Sequence, residues 1–106
     1  MPVINAGALG TGNLRGADHG ATICLILDHS EPGQGPRLHQ HTYDEAWVVI
    51  VGNLTFTAGD EEFPAGPDDI VIVPPHTPHK FINNGPGRSH MICIHANPTF
   101  DTEWLD

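Results

Sequence analysis

The sequence predicts an all-β fold, a small sandwich or barrel built from short strands. Three observations predict it. Glycine and proline are abundant, at 12 and 10 of 106 residues, so the chain turns often and has little room for long helices. Runs rich in β-branched and aromatic residues recur between turn signals, roughly every 8–12 residues. No segment sustains a helical period. A chain of 106 residues holds one domain with one core.

The elements follow in order. Residues 1–20 read as a glycine-rich N-terminal arm with a short strand at Val3-Ile4, and residues 21–106 as the single β-domain. Thr22–Asp28 is a compact apolar strand, and Ser30–Pro36 is a turn region carrying Pro32, Gly33, Gly35 and Pro36. Leu38–His41 and Glu45–Val51 read as strands, the second strongly β-prone through Trp47, Val48, Val49, Ile50 and Val51. Gly52-Asn53 marks a tight turn, and Asn53–Ala58 returns. After Gly59-Asp60 comes a short strand at Glu61–Pro64, then a loop at Ala65–Asp69. Ile70–Val73 is a strand stopped by Pro74-Pro75, because proline cannot donate to a ladder. His79–Ile82 and His90–His95 are the last strands, separated by the Asn83–Gly87 loop. The tail Thr99–Asp106 reads as one helical turn, with Trp104 and Leu105 packing back.

The formal charge is −9, and the basic residues are Arg15, Arg37, Lys80 and Arg88. Nucleic-acid binding needs clustered cations against phosphates, so that class is excluded. An anionic membrane surface is disfavoured for the same reason. The N-terminus lacks the basic and apolar regions of a signal peptide, and no apolar stretch is long enough to span a membrane, so a cytoplasmic location is expected. Cys24 and Cys93 sit inside apolar runs and read as buried free thiols.

Eight histidines are too scattered to be a tag. Side chains at i and i+2 of a strand share a face, so His39 and His41 project together, about 7 Å apart by the strand rise. Glu45 falls on the same face by even parity. His79 comes from a separate strand that a closed sheet can bring opposite. Three neutral imidazoles and one carboxylate suit a single divalent first-row metal, with positions left open for a ligand.

The spacing of these residues resembles the cupin superfamily. Gly33, His39, His41, Glu45 and Gly52 fit the first cupin motif, and Pro74, His79 and Asn83 fit the second. Asp68 and His76 stand where the second motif has turn glycines, so a positive φ at His76 would be strained. The resemblance implies a small double-stranded β-helix, or jelly-roll, barrel. It implies His39, His41, Glu45 and His79 as ligands to one divalent transition metal, whether Fe, Mn, Ni, Cu or Zn. Asn83 is implied as a structural turn residue, and Gly33, Gly52 and Pro74 as structural motif positions.

Other residues are read beside these. Trp47 and Val49 share parity with Glu45, and Phe81 with His79, so all three are expected as an apolar pocket wall or as core. His76 is a candidate for the pocket rim. His90 and His95 have opposite parity, so at most one faces the interior. Tyr43 and Asp44 lie beside the ligands, and His19 and His29 read as loop residues. The resemblance implies an enzyme acting on a small oxygen-chelating substrate, of dioxygenase or of isomerase or lyase type, with Glu45 a candidate catalytic group. A non-catalytic small-molecule binding or sensing barrel is the alternative. Open sheet edges favour a homodimer, with the arm as an element to exchange.

Overall fold

In the computed structural model, which describes residues 3–106, almost every ordered element is a strand. The strands are β1 (Asn13–Leu14), β2 (Cys24–Ser30), β3 (His39–Gln40), β4 (Glu45–Val51) and β5 (Leu54–Ala58). They continue with β6 (Glu61–Ala65), β7 (Ile70–Val73), β8 (His79–Asn83), β9 (Ser89–His95) and β10 (Glu103–Trp104). Two 3-10 turns, Ala6–Leu9 and Gly16–His19, punctuate the arm. None of the described helices is long and apolar enough to cross a membrane.

The strands form two antiparallel five-stranded sheets, β1-β2-β9-β4-β7 and β10-β3-β8-β5-β6. The interior between them is set by strand parity. Along β9, Ser89, Met91, Cys93 and His95 are buried while the residues between them are part exposed. Along β4, Glu45, Trp47 and Val49 point inward. Trp47 stacks on Phe56 with ring centroids 4.8 Å apart and meets Phe81 edge-on at 5.5 Å. Leu54, Val73, Met91 and Cys93 complete this core.

The turns explain several motif residues. Gly52 has φ +113°, and a Cβ there would come within 2.7 Å of the Ser89 Cβ, so only glycine fits. Asn83 is buried and clamps two segments: its Nδ2 donates to the carbonyls of Ser30 and Gly87, and its Oδ1 accepts from the Gly85 N–H. Asp68 and His76 both adopt positive φ, 72° and 59°. These are the two positions where the motif glycines are replaced; His76 carries the strain expected of it, and Asp68 shares the positive φ.

Three local expectations are corrected. Val3-Ile4 is not a strand; Val3 is 98% exposed, and the arm instead pairs later, Asn13 with Ile26 and Leu14 with Leu25. Met1 and Pro2 of the expected arm lie outside the described residues. The tail is not helical. Glu103 and Trp104 pair with Gln40 and His39, and the Leu105 N–H donates to the Leu38 carbonyl at 2.9 Å. So short a segment cannot repay helix nucleation, whereas the edge of β3 offers ready backbone partners. Trp104 is therefore half-exposed, under the Arg37 guanidinium at 4.9 Å, instead of packing as a helix face.

Candidate metal centre

His39 and His79 are directly paired across β3 and β8, which brings two separate motif segments together. Glu45 opens β4 on the opposing sheet, beside His95 of β9. His41 follows β3 by one residue and keeps its inward direction. The result is a buried group of His39, His41, Glu45 and His79 whose ligand atoms all lie within 4.8 Å of one another.

Hydrogen bonds fix each ring. His39 Nδ1 lies 2.6 Å from the Arg37 carbonyl, His41 Nδ1 2.9 Å from that of Asp101, and His79 Nδ1 2.7 Å from that of Thr77. A carbonyl only accepts, so each Nδ1 carries the proton. A neutral ring then turns its Nε2 lone pair into the site. His41 Nε2 is 3.0 Å, and His79 Nε2 3.1 Å, from the same oxygen, Glu45 Oε1. Lone pairs facing a carboxylate oxygen at that range require a cation among them, either protons or one metal ion. His41 Nε2 is also buried without a hydrogen-bond partner, a costly arrangement that coordination would relieve.

The other carboxylate oxygen is tied back. Trp47 Nε1 donates to Glu45 Oε2 at 2.7 Å, and His95 Nε2 lies 3.3 Å from it. Oε1 is thereby the oxygen presented to the three imidazoles. Burial would raise the Glu45 pKa, but the His41, His79 and His95 rings outweigh it and hold the carboxyl well below its usual range. Burial pushes His39 down to about 4, so it is neutral at physiological pH. Burial also opposes charge on His41, yet Glu45 and Asp101 outweigh it and raise its pKa, so protons compete with a metal there.

His95 differs from the three. Its Nδ1 lies 2.8 Å from the Tyr43 hydroxyl. That hydroxyl accepts from the Asp101 N–H at 3.3 Å, and donating its own proton to His95 Nδ1 would complete its bonding. The His95 proton then sits on Nε2, which is buried and has no hydrogen-bond partner. His95 thus offers a donor to the site where the other rings offer lone pairs. Tyr43 is buried, not a solvated loop residue, and burial pushes its phenol up to about 12. The alternation of β9 was the signal for His95: it shares parity with Met91 and Cys93. His90 faces outward and stacks on His29 at 4.2 Å.

The site opens into a cavity of about 810 Å³ lined by His39, His41, Glu45 and His95 together with Phe81. Trp47 and Val49, expected as pocket wall, are fully buried in the core and do not line it. His76 is exposed, donates its N–H to the His41 carbonyl, and borders a separate depression of about 250 Å³. The real wall comes from segments that the motif spacing did not mark: Ile26, Asp28 and Ser30 of β2, and Phe100, Thr102 and Trp104 of the tail.

A two-sheet jelly roll with a buried three-His, one-Glu group defines a cupin-type barrel. The cupin domain model matches residues 27–95, and the chain belongs to that family. An uncharacterized protein of Methanocaldococcus jannaschii is 32% identical over 77 residues, which is 70% of this chain; the chain spans 62% of that relative. A Klebsiella pneumoniae protein with a double-stranded β-helix domain superposes with a TM-score of 0.74 at 23% identity, over 80% of this chain and 76% of its own. Bacillus subtilis oxalate decarboxylase, described with Mn(II) centres, gives a TM-score of 0.80 at 22% identity, covering 88% of this chain and 27% of that one. At such identities the solved structures speak for the fold.

Proposed function

We propose that this chain binds one divalent transition metal through His39, His41, Glu45 and His79 and acts on a small oxygen-chelating substrate. The observation that carries this reading is the convergence of two Nε2 lone pairs on one carboxylate oxygen, with every Nδ1 already committed to a carbonyl. When bound, such an ion supplies Lewis acidity and, if redox-active, an electron route to dioxygen. The metal is drawn from Fe, Mn, Ni, Cu and Zn.

The chain's own residues do the rest. Glu45 Oε2 stays anchored by Trp47. His95 holds a proton at Nε2 inside the site, fixed there by Tyr43. Phe81 and Phe100 give part of the cavity an apolar wall. These features suit a dioxygenase, or an isomerase or lyase that moves a proton beside a carbonyl. A non-catalytic binding barrel is the alternative.

Elemental mass spectrometry on untagged protein purified without chelator is the test. About one metal per chain is expected, falling to near zero in Glu45→Gln and His79→Ala. Absence of metal after divalent ions are restored would overturn the reading. Oxygen uptake or product formation with enolisable ligands then separates enzyme from binder.

We also propose a cytoplasmic homodimer. The outer face of the first sheet is an uncharged grid: Leu25, Ile94, Ala46 and Ile72 in one row, Leu27, Ile92, Val48 and Ile70 in the next. Ile70 and Ile72 are more than 60% exposed there, and the same uncharged face of a second copy matches it. Sedimentation should give twice the chain mass, and Ile72→Lys should return it to the monomer.

A further inference from the structure

The cavity holds a second carboxylate beside that of Glu45. Asp28 points inward from β2, on the same parity as Ile26 and Ser30, and all three line the cavity. It lies four residues along β2 from Cys24, the residue paired with His95, or about 13 Å of strand. Its Oδ2 accepts from the Ser30 hydroxyl at 2.9 Å, which orients it. Among the described residues, Asp28 has no ion-pair partner and its Oδ1 accepts no hydrogen bond.

The chain's four cations are all placed elsewhere. Arg15 pairs with Asp18 in the arm. Arg37 lies over the Trp104 ring and donates to the Asp106 carbonyl at 3.2 Å. Arg88 faces Glu31 at 3.6 Å, with both side chains well exposed. Lys80 sits on β8 between the buried His79 and Phe81, on the opposite face of the strand. Neither lysine nor arginine lines the cavity among the described residues.

We infer that the site selects a bipolar ligand, with an oxygen-chelating head at the histidine end and a cationic or N–H-donating tail at Asp28. This rests on the metal-binding reading above. Charge balance supports it. A divalent ion, the Glu45 carboxylate and a singly ionised chelating head sum to zero, so the charge of Asp28 is left for the tail. A small dianion such as oxalate finds no cation beyond the metal and meets the field of Asp28. In a partly buried cavity that repulsion is poorly screened. Asp28 is therefore a specificity-determining residue.

The test uses two probes that share a catechol head and differ at the tail, dopamine (ammonium) and 3-(3,4-dihydroxyphenyl)propionate (carboxylate). Each is titrated calorimetrically into Co(II)-loaded protein at low salt, with metal content measured on the same sample. Dopamine should bind about tenfold or more tightly than the carboxylate probe, a factor typical of one well-placed charge. Asp28→Asn keeps the Ser30 contact and should bring the two within about twofold, with cobalt content unchanged. Equal binding of the two probes to the unaltered protein overturns the assignment while leaving the metal site standing. A preference that survives in Asp28→Asn also overturns it. Failure to take up cobalt at all overturns the metal reading, and this inference with it.

Discussion

The two ends of the barrel interior are built from the same strands and behave in opposite ways. On β4, Glu45 occupies one end and Trp47 and Val49 the other. On β8 the pair is His79 and Phe81; on β9 it is His95, then Cys93 and Met91. The apolar end is close-packed and holds the fold together through burial. The polar end works against folding. It buries four imidazoles around one carboxylate, and leaves His41 Nε2 and His95 Nε2 without hydrogen-bond partners. A sequence that departs from local consistency in this way does so at a functional site. One alternating pattern thus delivers both stability and chemistry, divided by position along the strand.

Breaking the apolar end should give the largest effect. Phe56 is fully buried between Trp47 and Phe81, so Phe56→Ala should cost roughly 3–5 kcal/mol in urea unfolding. The folded fraction should still take up metal at the wild-type ratio. A loss of metal at full folding would show that the two ends are not separable.

The polar end should reveal its cost through pH. Burial lowers His39 from 6.5 to about 4. The unfolded chain therefore binds this proton before the folded one does. Stability of chelator-treated protein is fully present above about pH 6.5, and falls as pH drops through 4, by roughly 3 kcal/mol at most from this group. His39→Gln should flatten that stretch of the unfolding curve. An unchanged slope would remove His39 as its source.

The junction between the two ends is Trp47, whose ring belongs to the core and whose Nε1–H holds Glu45. Trp47→Phe should keep most of the packing yet weaken metal affinity about 10- to 100-fold, as loss of a hydrogen bond behind a ligand does. Competition with a chromophoric chelator measures it. Unaltered affinity would confine Trp47 to the core.

The smallest effect lies at the strained turns that close the barrel. His76→Gly and Asp68→Gly relieve positive φ values of 59° and 72° and should each stabilise by about 0.5–1 kcal/mol. His76 should show the larger gain, because the short carboxylate of an aspartate can hydrogen-bond locally in the left-handed region. A lower melting temperature in His76→Gly would mean that its side chain contributes more than its strain removes.

Much of this architecture is legible in the sequence. Parity alone aligned His39 with His41 and Glu45 with Trp47 and Val49, because side chains alternate strictly along a strand. Turn glycines and prolines marked nearly every strand boundary to within two residues. The strain at His76 followed from glycine's readier access to positive φ. The tail departs from the helical expectation because eight residues carry too little pattern to reveal a β partner 65 positions earlier, the distance from Trp104 to His39.

Fold class, the inward face of each long strand and the four residues able to meet at one ion are legible in the chain, since these depend on local periodicity and on motif spacing. Tertiary structure alone decided what surrounds them. It set Tyr43 against His95 across 52 residues, brought the Asp101 carbonyl behind His41 across 60, and turned Asp28 into the cavity. These are contacts between strands distant in the chain. Their partners are chosen by sheet order and register, which one strand's own pattern does not encode.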